Sequence, residues 1–254
     1  MGVIIDEKAI ARTYSHPSVA DPYEIVKQYR EVMRYGPDAS STRVARELSL
    51  PRGRVRPWLN GSKPDAVYAI ELASKLGWLD EGWTETTEGL SQLVAGIFVC
   101  GSVQEAAMSP SWTPATAIGR SRLEAALKSA GVGIRVEDDE RAEEFWPGTH
   151  PSMLGRAMVA AGAPLGEKTA DSVTALPDWL DSALLSVRTG FVELLVAERA
   201  IEYPNKATRR IQTSRSASYY REVAELIQSV TGETVTYSNS GVTVSADAVR
   251  ALGL

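Results

Sequence analysis

The chain has 254 residues, 44% hydrophobic and 23% charged, with a formal net charge of −5 and a single cysteine, Cys100. Such a composition excludes a disordered or fibrous chain, and the lone cysteine excludes an intrachain disulfide and any multi-cysteine metal site. No stretch approaches the ~20 apolar residues that span a bilayer, and the opening MGVIIDEKAIARTY lacks the basic and apolar regions of a secretory signal, so a cytoplasmic protein with no membrane partner is expected.

In residues 23–35, Ile25, Val26, Tyr29, Val32 and Met33 recur at helical spacing before Gly36-Pro37, which predicts a first helix. Ser40-Ser41 offers an N-cap for a short second helix through Leu48. Ser49-Leu50-Pro51 breaks it, and Pro51 suits the first turn of a third helix reaching about Leu59, before Asn60-Gly61. Over residues 65–76, Ala66, Ala69, Ile70, Ala73 and Leu76 form the apolar face of a fourth helix that stops at Gly77. The polar run DEGWTETTEG, residues 80–89, predicts an exposed linker between a helical domain over 1–80 and a second domain over 90–254.

The second domain reads as two rounds of one pattern. The first round has a helix at 90–100, strands through 102–108 and 112–117, a helix at 122–130, strands through 134–146 and a helix at 152–161. In the second, a helix at 187–200 leads to a strand near 209–213, a helix at 218–230, a hairpin over 234–244 and a closing helix at 246–252. The hairpin is the plainest piece, since VTYSNSGVTV alternates on both sides of an Asn-Ser-Gly turn. An internal repeat of about 75 residues accounts for the pattern, with halves at 90–165 and 176–254. The expected fold is α+β, an all-α N-terminal domain followed by two αββαββα repeats.

Charge is unevenly distributed. Arg43, Arg46, Arg52, Arg54, Arg56 and Lys63 surround a single acid, Glu47, and a second basic group holds Lys206, Arg209, Arg210, Arg215 and Arg221. The compensating acid sits in Glu137, Asp138, Asp139, Glu140, Glu143 and Glu144. Any such run can be simply a solvated face, so a site needs a second signal.

For the first basic group the second signal is a helix-turn-helix. Such a unit needs small or apolar residues where two helices meet and free polar residues on the second, which lies in the DNA major groove. STRVARELSLPRGRVRPWLN, residues 41–60, supplies inward positions at Val44, Ala45, Leu48, Leu50, Val55 and Trp58. Helix-turn-helix proteins often place Gly where this chain has Ser49, and Pro57 is unusual inside the third helix. Arg52 and Arg56 are the expected base readers, with Arg54 and Asn60 as additional ones, while Arg43, Arg46 and Lys63 neutralise phosphates.

LVAGIFVCGSV, residues 93–103, resembles the LAGLIDADG signature of homing endonucleases. Val94, Ala95, Gly96, Ile97 and Phe98 follow it, as do Gly101 and Ser102, but one position is missing and Cys100 stands where the terminal acid belongs. GFVELLVAERAI, residues 190–201, takes the equivalent place in the second round, with Glu198 beside Arg199. The resemblance implies a helix pair at a pseudo-two-fold axis and a saddle-shaped sheet on DNA. Lys206, Arg209, Arg210 and Arg215 would form the basic half of that saddle, and the acidic segment 137–144 would serve a protein partner or a second copy. In active relatives the helix-end acids hold catalytic metal, and two-metal cleavage needs carboxylates. With a helix-turn-helix attached, the chain looks like the WhiA-type bacterial regulators, which join a non-cleaving homing-endonuclease fold to a DNA-reading domain in the opposite order.

These features lead to the expectation of a sequence-specific double-stranded DNA-binding protein that regulates transcription, with no catalytic residue, no metal and no cofactor. An active homing endonuclease, a plasmid or viral replication or partition protein, and an RNA-binding maturase-like protein are the alternatives. His16 and His150 lack ligand neighbours at metal spacing. Gly131-Val132-Gly133 joins a helix to a strand and reads as a turn, not a phosphate loop.

Overall fold

Asp6 opens the first helix by accepting a hydrogen bond from the Ala9 amide at 2.6 Å, which satisfies one of the free donors at a helix start. In the computed structural model, which describes residues 4–15, 19–139 and 142–254, this helix, α1 (Glu7–Arg12), is an addition to the expected elements. His16 and Glu140 lie outside the described residues. The Arg30 guanidinium of α2 (Tyr23–Met33) ties α1 to its neighbour with two 2.8 Å bonds to the Glu7 carboxylate. Three more helices follow, α3 (Ser41–Glu47), α4 (Arg52–Leu59) and α5 (Asp65–Lys75), close to the expected spans.

The turn between α3 and α4 has a specific chemistry. The Ser49 amide donates to the Arg46 carbonyl at 3.3 Å and the Leu50 amide reaches back to Ala45 at 2.9 Å. That pattern is a Schellman cap, which requires a left-handed residue at its corner. Ser49 takes that role with φ of 54°, at the position where glycine would be free of strain. Pro57 does not shorten α4, which runs to Leu59. The carbonyl it leaves without a helical donor belongs to exposed Gly53, where water can serve it.

The stretch expected to be an exposed linker instead carries the start of α6 (Glu85–Val99). Thr84 and Thr87 cap that helix reciprocally, a box that turns polar residues into a helix signal. Just before the cap, buried Trp78 donates to the Ala130 carbonyl at 2.9 Å, and the ring of Trp83 lies 5.8 Å from that of Trp179. Two bulky apolar anchors therefore hold the segment against the second region.

After α6 come β1 (Gly101–Val103), β2 (Pro110–Trp112), α7 (Ala117–Ser129), β3 (Ile134–Asp139), β4 (Ala142–Pro147) and α8 (Pro151–Ala160). The second unit repeats the order with α9 (Leu185–Arg199), β5 (Ala200–Tyr203), β6 (Lys206–Ile211), α10 (Ala217–Thr231), β7 (Val235–Ser238), β8 (Gly241–Val244) and α11 (Ala246–Ala251). Both sheets are antiparallel and four-stranded, ordered β1-β2-β4-β3 and β5-β6-β8-β7, so the two units share one topology. The strand β5 is an addition, since the sequence predicts no element between the helix ending at Ala200 and the strand near 209–213.

The two opening helices, α6 and α9, pack on each other at the centre. Phe98 and Phe191 lie 6.0 Å apart between ring centres. A Cβ at Gly190 would come within 2.5 Å of the Gln92 side chain, so the missing side chain permits the approach of the two helices. Among the described residues, no helix is long and apolar enough to cross a membrane.

Candidate nucleic-acid interface

Helices α3 and α4 bury Val44, Ala45, Val55, Trp58 and Leu59. The Trp58 ring meets that of Tyr29 edge-on at 5.7 Å, which fastens α4 to α2. Opposite this seam, Arg46, Arg52, Arg56 and Asn60 are exposed. Arg46 and Arg56 have no hydrogen-bond or ion-pair partner among the described residues, and Arg52 makes only a 3.4 Å contact with the Ser41 hydroxyl. The other predicted residues are engaged. Arg54 is half-buried and donates to Gln28 at 2.6 Å, Arg43 lies 3.8 Å from Glu47, and Lys63 pairs with Glu71. Arg43 and Lys63 remain on the surface, where such pairs contribute little to stability; Arg54 instead joins α4 to α2.

Sheet pairing sorts the second basic group. Ile201, Arg210, Thr243 and Thr236 stand in one row across β5, β6, β8 and β7, while Glu202, Arg209, Val244 and Val235 stand in the next. Successive strand residues face opposite sides, and Val244 and Val235 are buried. Arg209 therefore faces the helix-covered side, with 19% of its side chain exposed and a 2.7 Å bond to Glu202. Arg210 and Lys206 share the outer face. Arg210 donates to the Ser240 hydroxyl at 2.8 Å, and the Lys206 amine lies 5.9 Å from the centre of the Tyr203 ring. Arg215 lies beyond the strand and donates to the Lys168 and Ser214 carbonyls.

In the first sheet, Arg135 lies opposite Trp146 and Glu137 opposite Glu144. The Arg135 guanidinium is 5.5 Å from the centre of the Trp146 ring and 3.2 Å from the Glu137 carboxylate. Glu143 pairs with Arg120. Part of the acidic segment is thus neutralised by arginines of its own unit.

A cavity of about 300 Å3 opens where α6 and α9 end, with Cys100, Ser102, Glu144, Lys168, Glu198 and Arg199 on its wall. Glu198 spends both oxygens on the first unit, accepting from the amides of Ala115 at 2.9 Å and Thr116 at 3.1 Å and from the Thr116 hydroxyl. There it stands at the N-terminus of α7, where the helix dipole favours negative charge. Burial, with the Glu198 charge adding to it, pushes the Cys100 thiol up to about 12, so it stays neutral and is a poor metal ligand. Lys168 comes from the connection between the units and donates to the Ile97 carbonyl at 2.6 Å and to that of Gly101. Burial, then the charges of Arg199 and Arg215, lower its amine to about 8, which leaves it mainly protonated at neutral pH.

These donors do not fit a divalent cation. Of the two carboxylates on the wall, Glu198 is engaged by the first unit and Glu144 has no second available acid beside it, the thiol is neutral, and an ammonium already sits on the Ile97 and Gly101 carbonyls. Among the described residues, no group of three or more His, Cys, Asp or Glu side chains could hold a metal. Lys168 is not visible as a site residue in the sequence, because nothing in its local pattern marks it.

Comparison with protein-family models finds no match, and comparison with curated proteins finds none either.

Proposed function

We propose that the protein is a sequence-specific duplex-DNA-binding regulator of transcription, built from a helix-turn-helix and a LAGLIDADG-like pair of units that does not cleave. The observation that carries this reading is the α3–α4 unit, with a left-handed cap at Ser49, a buried seam, and Arg46, Arg52 and Arg56 exposed on the other side. A core hairpin has no need of three solvent-facing guanidiniums around so short a turn. In this mechanism Arg52 and Arg56 approach base edges, Asn60 flanks them, and Arg43, Arg46 and Lys63 set register on phosphates. The outer face around Lys206 and Arg210 adds a second, electrostatic contact.

The repeated αββαββα topology and the α6–α9 pairing support descent from the homing-endonuclease fold, and the donor set at the helix ends supports loss of its chemistry. The deciding experiment is selection from a random duplex library with the full chain, followed by incubation of the recovered site on supercoiled plasmid with magnesium or manganese. Recovery of a defined site without nicking supports the reading. No enrichment, or metal-dependent cutting lost on Glu198→Gln, overturns it. Mapping the site in a genome separates promoters from a replication origin.

A further inference from the structure

We propose that the Lys168 ammonium is a resident cation that takes the place of a metal at the centre of the paired units and grips one backbone phosphate of the bound duplex. This inference rests on the reading of the protein as a duplex-DNA binder.

Its ground is a count of donors and acceptors. A lysine ammonium has three N–H groups. Two are directed at the Ile97 carbonyl, in the last turn of α6 where the helix dipole is negative, and at the Gly101 carbonyl at the start of β1, so the side chain is held in position. Its third N–H is left for the cavity that Lys168 lines. Glu198 is turned away from it, both of its oxygens accepting from Ala115 and Thr116.

Local charge favours an anion. Arg199 is exposed at the cavity rim beside Lys168, and of the two carboxylates on the wall Glu198 is already answered by the Ala115 and Thr116 amides and the Thr116 hydroxyl. Lys168 and Arg199 then face one further carboxylate, Glu144, in a partly buried place where screening by salt is weak. Ser102 and Ser111, on the opposite side of β1 and β2 from buried Val103 and Trp112, add hydroxyl donors to the same wall. A single phosphodiester oxygen is the ligand this arrangement suits. A metal-bridged phosphate would need several oxygen ligands, whereas Glu198 is engaged and Glu144 is the one other carboxylate on the wall.

The test uses the full chain and the duplex recovered by selection, with neutral methylphosphonate introduced at one linkage at a time. In EDTA, one linkage is expected to weaken wild-type binding roughly tenfold when neutralised. The same substitution should have no effect on Lys168→Met, whose affinity for the unmodified duplex is already lower by a similar factor. Because Lys168→Met also removes two internal bonds, its thermal unfolding is measured alongside. Should it fail to fold, Arg199→Ala, altered at an exposed position, replaces it and should blunt the penalty at the same linkage. Independence of every linkage from both residues, or a penalty seen only with magnesium present, overturns the resident-cation role. Failure to recover any duplex would instead sink the DNA-binding reading beneath it.

Discussion

The guanidinium of Arg156 lies 3.8 Å from the centre of the Tyr14 ring and donates to the Thr13 carbonyl just before it. Arg156 belongs to α8 of the first αββαββα unit, whereas Thr13 caps α1, so one side chain pins the N-terminal helices to the sheet-bearing region. The Tyr14 hydroxyl continues the seam with a 3.3 Å contact to the Met153 sulfur. Arg156→Ala is expected to cost about 1–2 kcal/mol in urea unfolding and to expose residues 80–89 to limited proteolysis. Rapid cutting of the wild-type protein in that segment would show that the seam does not hold.

Reading of bases is expected to depend on Arg52 and Arg56, which project from α4 without an internal ion pair. Each well-formed bidentate base contact contributes about 1–3 kcal/mol of discrimination, so the double Ala variant should lose preference for the selected site over random duplex. Arg46→Ala should weaken binding to all duplexes alike and reduce the slope of log affinity against log salt by about one. Fluorescence anisotropy across a salt series checks both. Unchanged selectivity in the double variant removes these arginines from base reading.

Ser49 occupies left-handed backbone with φ of 54° to close the turn between α3 and α4. Relief of that strain outweighs the extra unfolded-state entropy of glycine, so Ser49→Gly is expected to stabilise the protein by roughly 0.5–1 kcal/mol with DNA affinity unchanged. Destabilisation in guanidinium unfolding would mean that the serine side chain contributes something the turn geometry does not show.

The Glu7–Arg30 pair sets a pH dependence. The Arg30 guanidinium, by direct hydrogen bonding, holds the Glu7 carboxyl below its ordinary value. A carboxylate with a depressed folded pKa contributes stability above its unfolded pKa and loses that contribution as pH falls through the folded one. Both side chains are more than a third exposed, so solvent screening limits the effect to about 0.5–1 kcal/mol. Glu7→Gln should therefore be less stable than wild type at pH 7, and the gap should close in strongly acidic buffer. A gap that persists at acid pH would point to packing rather than charge.

What the sequence determined by itself is whatever is carried by neighbours within a turn or a strand. The spacing of Ile25, Val26, Tyr29 and Val32 marks α2, the Ser49–Pro51 break separates α3 from α4, and the alternation around Asn239 marks the β7–β8 hairpin. The rest needed the packed chain. Only the pairing of β6 with its neighbours separates Arg209 from Arg210, which the sequence reading places together on one basic surface. In β5, Ile201, Glu202 and Tyr203 are exposed and continue straight from α9, so only hydrogen bonding to β6 makes them a strand. Thr84 and Thr87 look like linker until they cap one another against Trp78 and Trp83. Glu198 meets Thr116 across 82 residues and Lys168 meets Ile97 across 71, and no local period encodes such meetings. Local propensity acts over a few bonds, whereas the charges at the centre acquire their partners only when the burial of α6 against α9 brings the two units together.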